Sequence, residues 1–351
     1  MCRQTDKQDA VALVFDLALL DNILPSCYTV NAEFLWKSED IAMKETFKKQ
    51  YKLYLLAILC TMLWGSAIPF IKIGYELFRI APEATADQLV FAGIRFFGAA
   101  FLLTIPLSAG PQRLISREAA TQMAVLGLIQ TAGQYFFFYI GLSHTSGINA
   151  SVINSAGTLL CVVLAWIVFR DEKLTARKWI GCIIGFSGIL LNGVSTQKMG
   201  LLSFRGDGCL ILANVCFAVG FLYSKRSVKK TNPFLLTFGQ MAIGGCVLLF
   251  LGLAMGGDLP QITWLGCLVL FYLMVVSAVA FSLWTLLLRE YPSAQVGMFH
   301  FLTPVFGSLF SCLLNAWGVL KDGSAFTVYT VLAVICAAAG IFLSSGGNKQ
   351  A

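Results

Sequence analysis

The apolar positions of this chain gather into ten long runs between Leu53 and Ser345, separated by short connections. Each run is about the length of 20 mostly apolar residues that a helix needs to cross a bilayer. The first half holds runs at 53–78, 88–107, 119–142, 148–169 and 178–193, and the second at 208–224, 234–255, 263–288, 294–314 and 326–345. Lipid offers no partners to backbone amides, so runs this continuous predict helices rather than the short alternating strands of a barrel. Composition agrees, with 58% hydrophobic and 12% charged residues and a mean hydropathy of +0.77, against about 25% charged in a soluble domain. The expected fold class is an all-α polytopic membrane protein with ten transmembrane helices.

Charge then sets orientation. If the end before Leu53 faces the cytoplasm, sixteen lysines and arginines lie on that side, and only Arg79, Lys198, Arg205 and Lys321 lie on the other. Such asymmetry places both termini in the cytoplasm of a plasma (inner) membrane protein. The net charge of +7 then belongs to inward-facing loops and contact with anionic lipid. With no soluble reader fold, it does not point to nucleic acid.

Residues 1–52 precede the first run as a cytoplasmic extension. Residues 1–42 include Asp6, Asp9, Asp16, Asp21, Glu33, Glu39 and Asp40, and their one apolar run is interrupted by Asp16. They lack the basic start and continuous apolar middle of a signal peptide. Met43-Lys44-Glu45-Thr46-Phe47-Lys48-Lys49 reads as a basic start ahead of the first span, so 1–42 are expected to lie outside the folded unit.

A weak internal repeat divides the rest into 53–193 and 208–345. Leu63 to Lys72 falls beside Cys216 to Lys225, and Phe97-Gly98-Ala99 beside Ile243-Gly244-Gly245. Thr145-Ser146-Gly147 falls beside Pro292-Ser293-Ala294, and Ser187-Gly188-Ile189-Leu190 beside Ala339-Gly340-Ile341-Phe342. A repeat of five spans must enter the membrane from opposite sides in its two copies. The expected architecture is therefore two inverted five-helix repeats, a known route to alternating access in carriers.

Several motifs together resemble the drug/metabolite transporter superfamily, in its EamA-like permease branch. They are Trp64-Gly65-Ser66-Ala67-Ile68-Pro69-Phe70-Ile71-Lys72, Ile94-Arg95-Phe96-Phe97, the hairpin from Tyr139 to Ala150, Trp166 to Leu174, and Phe301-Leu302-Thr303-Pro304-Val305-Phe306. The resemblance spans Leu53 to about Ser345. Two departures are visible: Asn315-Ala316-Trp317-Gly318 where the family has Gly-Glu after the ninth helix, and Gly157-Thr158 where proline is common in the fourth. The resemblance implies a permease, with export favoured because the branch is rich in exporters.

Ionisable groups inside a membrane are costly and point to function. Only Lys72 and Arg95 lie away from the span ends. At ~1.5 Å per residue, Arg95 lies about 10 Å below the outer end of its helix, a depth Lys72 could reach. Two such cations suit a carboxylate or phosphate. Alternatively, Lys72 snorkels to the headgroups, and Arg95 is an ion-pair strut to Asp87 or Glu76. No carboxylate falls at a midplane, and His300 is the one titratable group there of suitable pKa.

Gln130, Gln134, Asn149 and Asn154 are expected to line one wall, and Trp64, Tyr139, Trp284 and Phe299 to supply apolar contacts. Gly181, Gly185 and Gly188, and likewise Gly244 and Gly245, form small faces suited to close helix packing, with a homodimer contact among their uses. The eleven cysteines form no Cys-x-x-Cys pair and read as packing residues. No metal or cofactor is called for.

The expected function is a secondary transporter of a small polar metabolite, an amino acid or related carboxylate. The alternatives are a facilitator or exchanger of a phosphorylated metabolite, and a non-transporting membrane scaffold or sensor. An enzyme would need a midplane nucleophile–base pair or metal cluster, and the sequence supplies neither. No phosphate-binding Gly-x-x-x-x-Gly-Lys-Ser/Thr loop is present.

Overall fold

The protein, as a computed structural model, is described at residues 39–108, 115–145, 147–169, 175–196, 203–320 and 328–345. Residues 1–38 lie outside these, as do the loops carrying Arg113, Arg170, Lys173, Lys198 and Lys321, and the tail at Lys349. The described residues are helical throughout, without strands: α1 (Glu39–Leu77), α2 (Thr85–Ser108), α3 (Arg117–Leu126), a π-helical segment (Gly127–Gly133), α4 (Gln134–Ser143), α5 (Gly147–Phe169) and α6 (Ala176–Thr196). The second half follows as α7 (Phe204–Ser227), α8 (Pro233–Ala254), α9 (Trp264–Glu290), α10 (Ser293–Met298), a 3₁₀ turn (Phe299–Phe301), α11 (Leu302–Ala316) and α12 (Val328–Ser345).

Among the described residues, seven helices are long and apolar enough to cross a membrane: α1 from Lys49, α2, the continuous rod Arg117–Leu142, α7, α8, α9 and the rod Ser293–Ala316. The sequence also reads α5, α6 and α12 as spans. Among the residues described in full, α5 and α12 contribute the apolar stretches Ala156–Phe169 and Val331–Leu343.

Local chemistry explains where the helices begin and end. Ser116, Ser203 and Thr263 each accept a hydrogen bond from a first-turn amide, and Asn232 caps α8 just before Pro233 at the first helical position. Arg79 takes a positive φ of 56° after α1, and Ile80 N–H returns to the carbonyl of Tyr75 at 2.8 Å, a left-handed close of the helix.

Contacts between helix ends sort them onto two sides. On one side, Lys52 pairs with Glu290 at 3.2 Å, the Tyr291 hydroxyl donates to the carbonyl of Lys49, and Lys230 pairs with Glu118 at 2.7 Å. On the other, Thr145 donates to the Asp207 carboxylate, and the amide of Asp258 donates to Asp87. Lys49, Lys52, Arg117, Arg226, Lys229, Lys230 and Arg289 all gather on the first side.

The packing has an internal order. α2 lies against α8, and α6 against α12. α1 lies against α9 and α11, and α7 against α4 and α5. α2 also touches α9, while α8 touches α3 and the π segment. Exchanging each rod for the one five places further along maps this set of neighbours onto itself.

Small residues make the crossings possible. A Cβ on Gly65 would stand 2.5 Å from Cβ of Phe306, and one on Gly245 would stand 2.5 Å from the backbone nitrogen of Phe97. Both small faces read from the sequence are filled from within the chain. Gly188 meets Cys336, Gly340 meets Gly181, and Gly244 meets Thr131.

Candidate functional site

Two interruptions of regular helix set up the site. The sequence predicts one unbroken helix over 119–142, but Gly127–Gly133 are wound as a π-helix. α8 packs against this segment: a Cβ on Gly127 would meet the carbonyl of Gln240 at 3.0 Å, and Gln240 bonds Thr131 at 3.2 Å. π segments of this kind recur at functional sites. The ninth apolar run is also broken, by the 3₁₀ turn at Phe299–Phe301. Pro304 has no amide proton and its ring crowds the carbonyl four residues back, which belongs to His300. Proline and turn thus share one cause.

Arg95 on α2 is 3% exposed. Its Nε donates to the Ser277 hydroxyl at 2.9 Å, and Ser277 passes its own proton to the carbonyl of Leu273 at 2.8 Å. The guanidinium carbon lies 5.1 Å from the ring centroid of Phe96. Its positive charge reaches the phenols of Tyr75, Tyr135 and Tyr139. The Tyr75 hydroxyl meets no acceptor in hydrogen-bonding geometry, although the Tyr139 phenol stands beside it.

Neither suggested strut partner holds Arg95. Asp87 accepts the amide of Asp258 at 2.9 Å, and Glu76 is exposed. Among the described residues no carboxylate pairs with Arg95. The single buried carboxylate there is Asp207, which accepts from the Thr145 hydroxyl and the amide of Ser203.

From Arg95 an aromatic wall runs inward. Phe96 contacts Phe281 edge-on at 6.3 Å, Phe281 contacts Trp64 at 5.2 Å, and Trp64 contacts Trp284 at 5.0 Å. His300 closes the wall, 5.7 Å from Trp64, 6.2 Å from Trp284 and 5.0 Å from Phe217. Its Nδ1 lies 3.3 Å from the Thr158 hydroxyl. Although enclosed by protein, His300 and Trp64 keep part of their surface open. The indole N–H groups of Trp64 and Trp284 are buried without an acceptor among the described residues. A buried donor left in this state costs about 1–3 kcal/mol.

The remaining expected residues divide. Tyr139 is buried beside Tyr135 and joins the Arg95 end. Gln130 is buried with its side chain over Gly220 of α7. Gln134 and Asn154 are half-buried and make no side-chain hydrogen bond to a described residue. The side chain of Asn149 lies outside the described residues. Phe299 turns away to pack edge-on against Tyr54 at 5.4 Å. Lys72 is exposed near the C-terminal end of α1, whereas Arg95 is buried. Asn214 and Gln240 bind helices together, through Ile153 O and Thr131.

Sequence reasoning missed Ser277, Tyr75, Tyr135 and Phe281. Ser277, alone among Val275-Val276 and Ala278-Val279-Ala280, was the available signal.

Comparison with known proteins places this geometry. The model of the EamA-like transporter family matches residues 51–194 and again 204–346. The chain belongs to that family. The family model thus matches once in each half of the chain. The uncharacterized transporter YyaM of Bacillus subtilis is 25% identical over 308 residues, covering 85% of this chain and 95% of its own. A chloroplastic WAT1-related protein of Arabidopsis thaliana is 26% identical over 262 residues, covering 71% and 60%. A crystal structure of a protein 16% identical shares the fold with a TM-score of 0.67, covering 85% of this chain and 99% of the other. This EamA-like protein is a multi-pass membrane transporter and not an enzyme.

Proposed function

We propose that this EamA-like protein is a ten-span secondary transporter that moves a small polar metabolite by alternating access, gripping an anionic group of its cargo with Arg95. The observation that carries the reading is Arg95 itself, a buried guanidinium whose bond within the described residues is to a neutral serine. An uncompensated buried charge is strongly unfavourable, so a site that retains one gains most when an anion arrives. Arg suits a carboxylate because its planar fork gives two parallel charge-assisted bonds.

Alternating access is supported by the packing order. The neighbours of each rod repeat five places along the chain, and the two family matches fall on the same two halves. Five spans per repeat invert the second copy, and inverted repeats can exchange conformations about a central site. The helix breaks at Gly127–Gly133 and Phe299–Phe301 agree with the discontinuous helices that such carriers place at their sites. The basic side formed by Lys49, Lys52, Arg117, Lys229 and Lys230 is read as cytoplasmic, with both termini there, in a plasma membrane. Export is the favoured direction.

The test is counterflow in proteoliposomes against a panel of amino acids and carboxylates, using the parent protein, Arg95→Lys and Arg95→Gln. Flux of at least one anionic substrate should be weakened by Arg95→Lys and abolished by Arg95→Gln. Affinity unchanged in stably folded Arg95→Gln would end the anchor role of this residue.

A further inference from the structure

The inventory of unsatisfied groups along the wall narrows what can bind. The indole N–H groups of Trp64 and Trp284 are buried with no acceptor among the described residues, and the bond of Arg95 to a described residue is made through its Nε alone. Trp284 is 3% exposed, and its N–H is unsatisfied in this conformation. Phe96, Phe281 and Phe217 complete the surface with ring faces. The amides of Gln130 and Gln134 are neutral, and none of the described carboxylates reaches this interior.

Charge balance decides between two kinds of cargo. A carboxylate without an amino group cancels the charge of Arg95 and leaves the interior neutral. A zwitterionic amino acid brings no net charge: its carboxylate cancels Arg95, and its ammonium remains as one buried cation with no described protein carboxylate to pair with. Such an ion costs several kcal/mol in a protein interior. The unpartnered indoles add a second requirement, since a buried N–H is satisfied by an acceptor on the ligand. A flat ring stacks edge-on among Phe281, Trp64 and Trp284 in the geometry these rings already adopt with one another.

From these observations we infer that the site takes a flat, aromatic monocarboxylate that carries a hydrogen-bond acceptor on its ring and no ammonium group. The inference rests on the reading of Arg95 as the anion anchor. The carboxylate meets Arg95, the ring lies along Phe281 and Trp64, and the ring acceptor reaches the indole N–H of Trp64 or Trp284.

A matched set of probes tests it: para-hydroxyphenylpropanoate, tyrosine, tyramine and hexanoate, titrated calorimetrically into the purified parent protein and into Arg95→Lys, Arg95→Gln and Trp284→Phe. Para-hydroxyphenylpropanoate should bind. Tyrosine should bind at least about 100-fold more weakly, because it carries the ammonium as well, and tyramine should not bind. Trp284→Phe keeps a ring and removes the N–H, so it should weaken para-hydroxyphenylpropanoate about 5- to 10-fold and leave hexanoate unchanged. Tyrosine or hexanoate binding as tightly as para-hydroxyphenylpropanoate, with binding lost in Arg95→Gln, overturns the substrate class and leaves Arg95 as the anchor. Para-hydroxyphenylpropanoate binding equally to the parent, Arg95→Lys and Arg95→Gln overturns the anchor itself. Absence of binding by para-hydroxyphenylpropanoate to the parent overturns the class.

Discussion

Ser277 holds Arg95 by the Nε edge of its guanidinium, at 2.9 Å, from a position 182 residues further along the chain. The contact orients the fork and leaves both terminal nitrogens to face a ligand. Ser277→Ala should therefore weaken anion binding by ~1 kcal/mol, or about fivefold, while the melting temperature stays near that of the parent. Calorimetric titration and thermal denaturation on one preparation check it. A large drop in melting temperature with unchanged affinity would make the contact a helix tie and nothing more.

Lys225 is buried at the end of α7 and donates to the carbonyls of Leu288 at 2.8 Å and Tyr291 at 2.6 Å, at the C-terminal end of α9. A cation there satisfies carbonyls that the helix leaves open and complements its dipole. Lys225→Met should cost about 1.5–3 kcal/mol. The readout is a lower midpoint in detergent, followed by size-exclusion after heating. An unchanged midpoint would show that the two carbonyls find other donors.

The crossing of α1 and α11 tolerates no side chain at Gly65, where a Cβ would stand 2.5 Å from Phe306. At Gly208 the nearest atom to an added Cβ is 4.0 Å away, on Phe204. Gly65→Val should lose most folded protein in a thermal-shift or fluorescent size-exclusion assay, and Gly208→Ala should not. Equal yields from both would mean that α1 and α11 can separate without cost.

Reporters fused at the C-terminus and in the Lys229–Lys230 turn should both report cytoplasm, given the basic residues around that turn. An external signal from either fusion in an intact chain would remove the inverted topology along with the orientation.

Deleting residues 1–42 should leave insertion and flux nearly unchanged. The acidic residues of this stretch and the basic start at Met43 are the grounds for the expectation. Loss of folded protein at equal expression would show that the deleted stretch is structural.

Much of this was legible in the chain because lipid makes its demands one segment at a time. Long apolar runs, Arg95 within one of them and glycines at helical spacing all announce themselves locally. The π segment does not, because it arises where α8 presses on Gly127 and Thr131 from more than a hundred residues away. Ser277 became visible as the partner of Arg95 only once α2 and α9 were side by side. Lys72 shows the reverse limit. Sequence fixes the height of its Cα on the helix, but not that its side chain is exposed where that of Arg95 is buried. The 3₁₀ turn at His300 could have been read from Pro304, four residues on.

The wide segment at Gly127–Gly133 also fixes the phase of everything after it. A π turn holds about one residue more than an α turn, and each residue of an α-helix advances it by about 100°. Tyr135 and Tyr139 therefore point toward Arg95 by virtue of one surplus residue upstream. Removing a single residue from that segment would let the rod heal into regular α-helix, with α4 turned roughly a quarter of the way round and its phenols carried off the guanidinium. For this rod the residue count between Leu126 and Gln134 is as strict a specification as any side chain it carries.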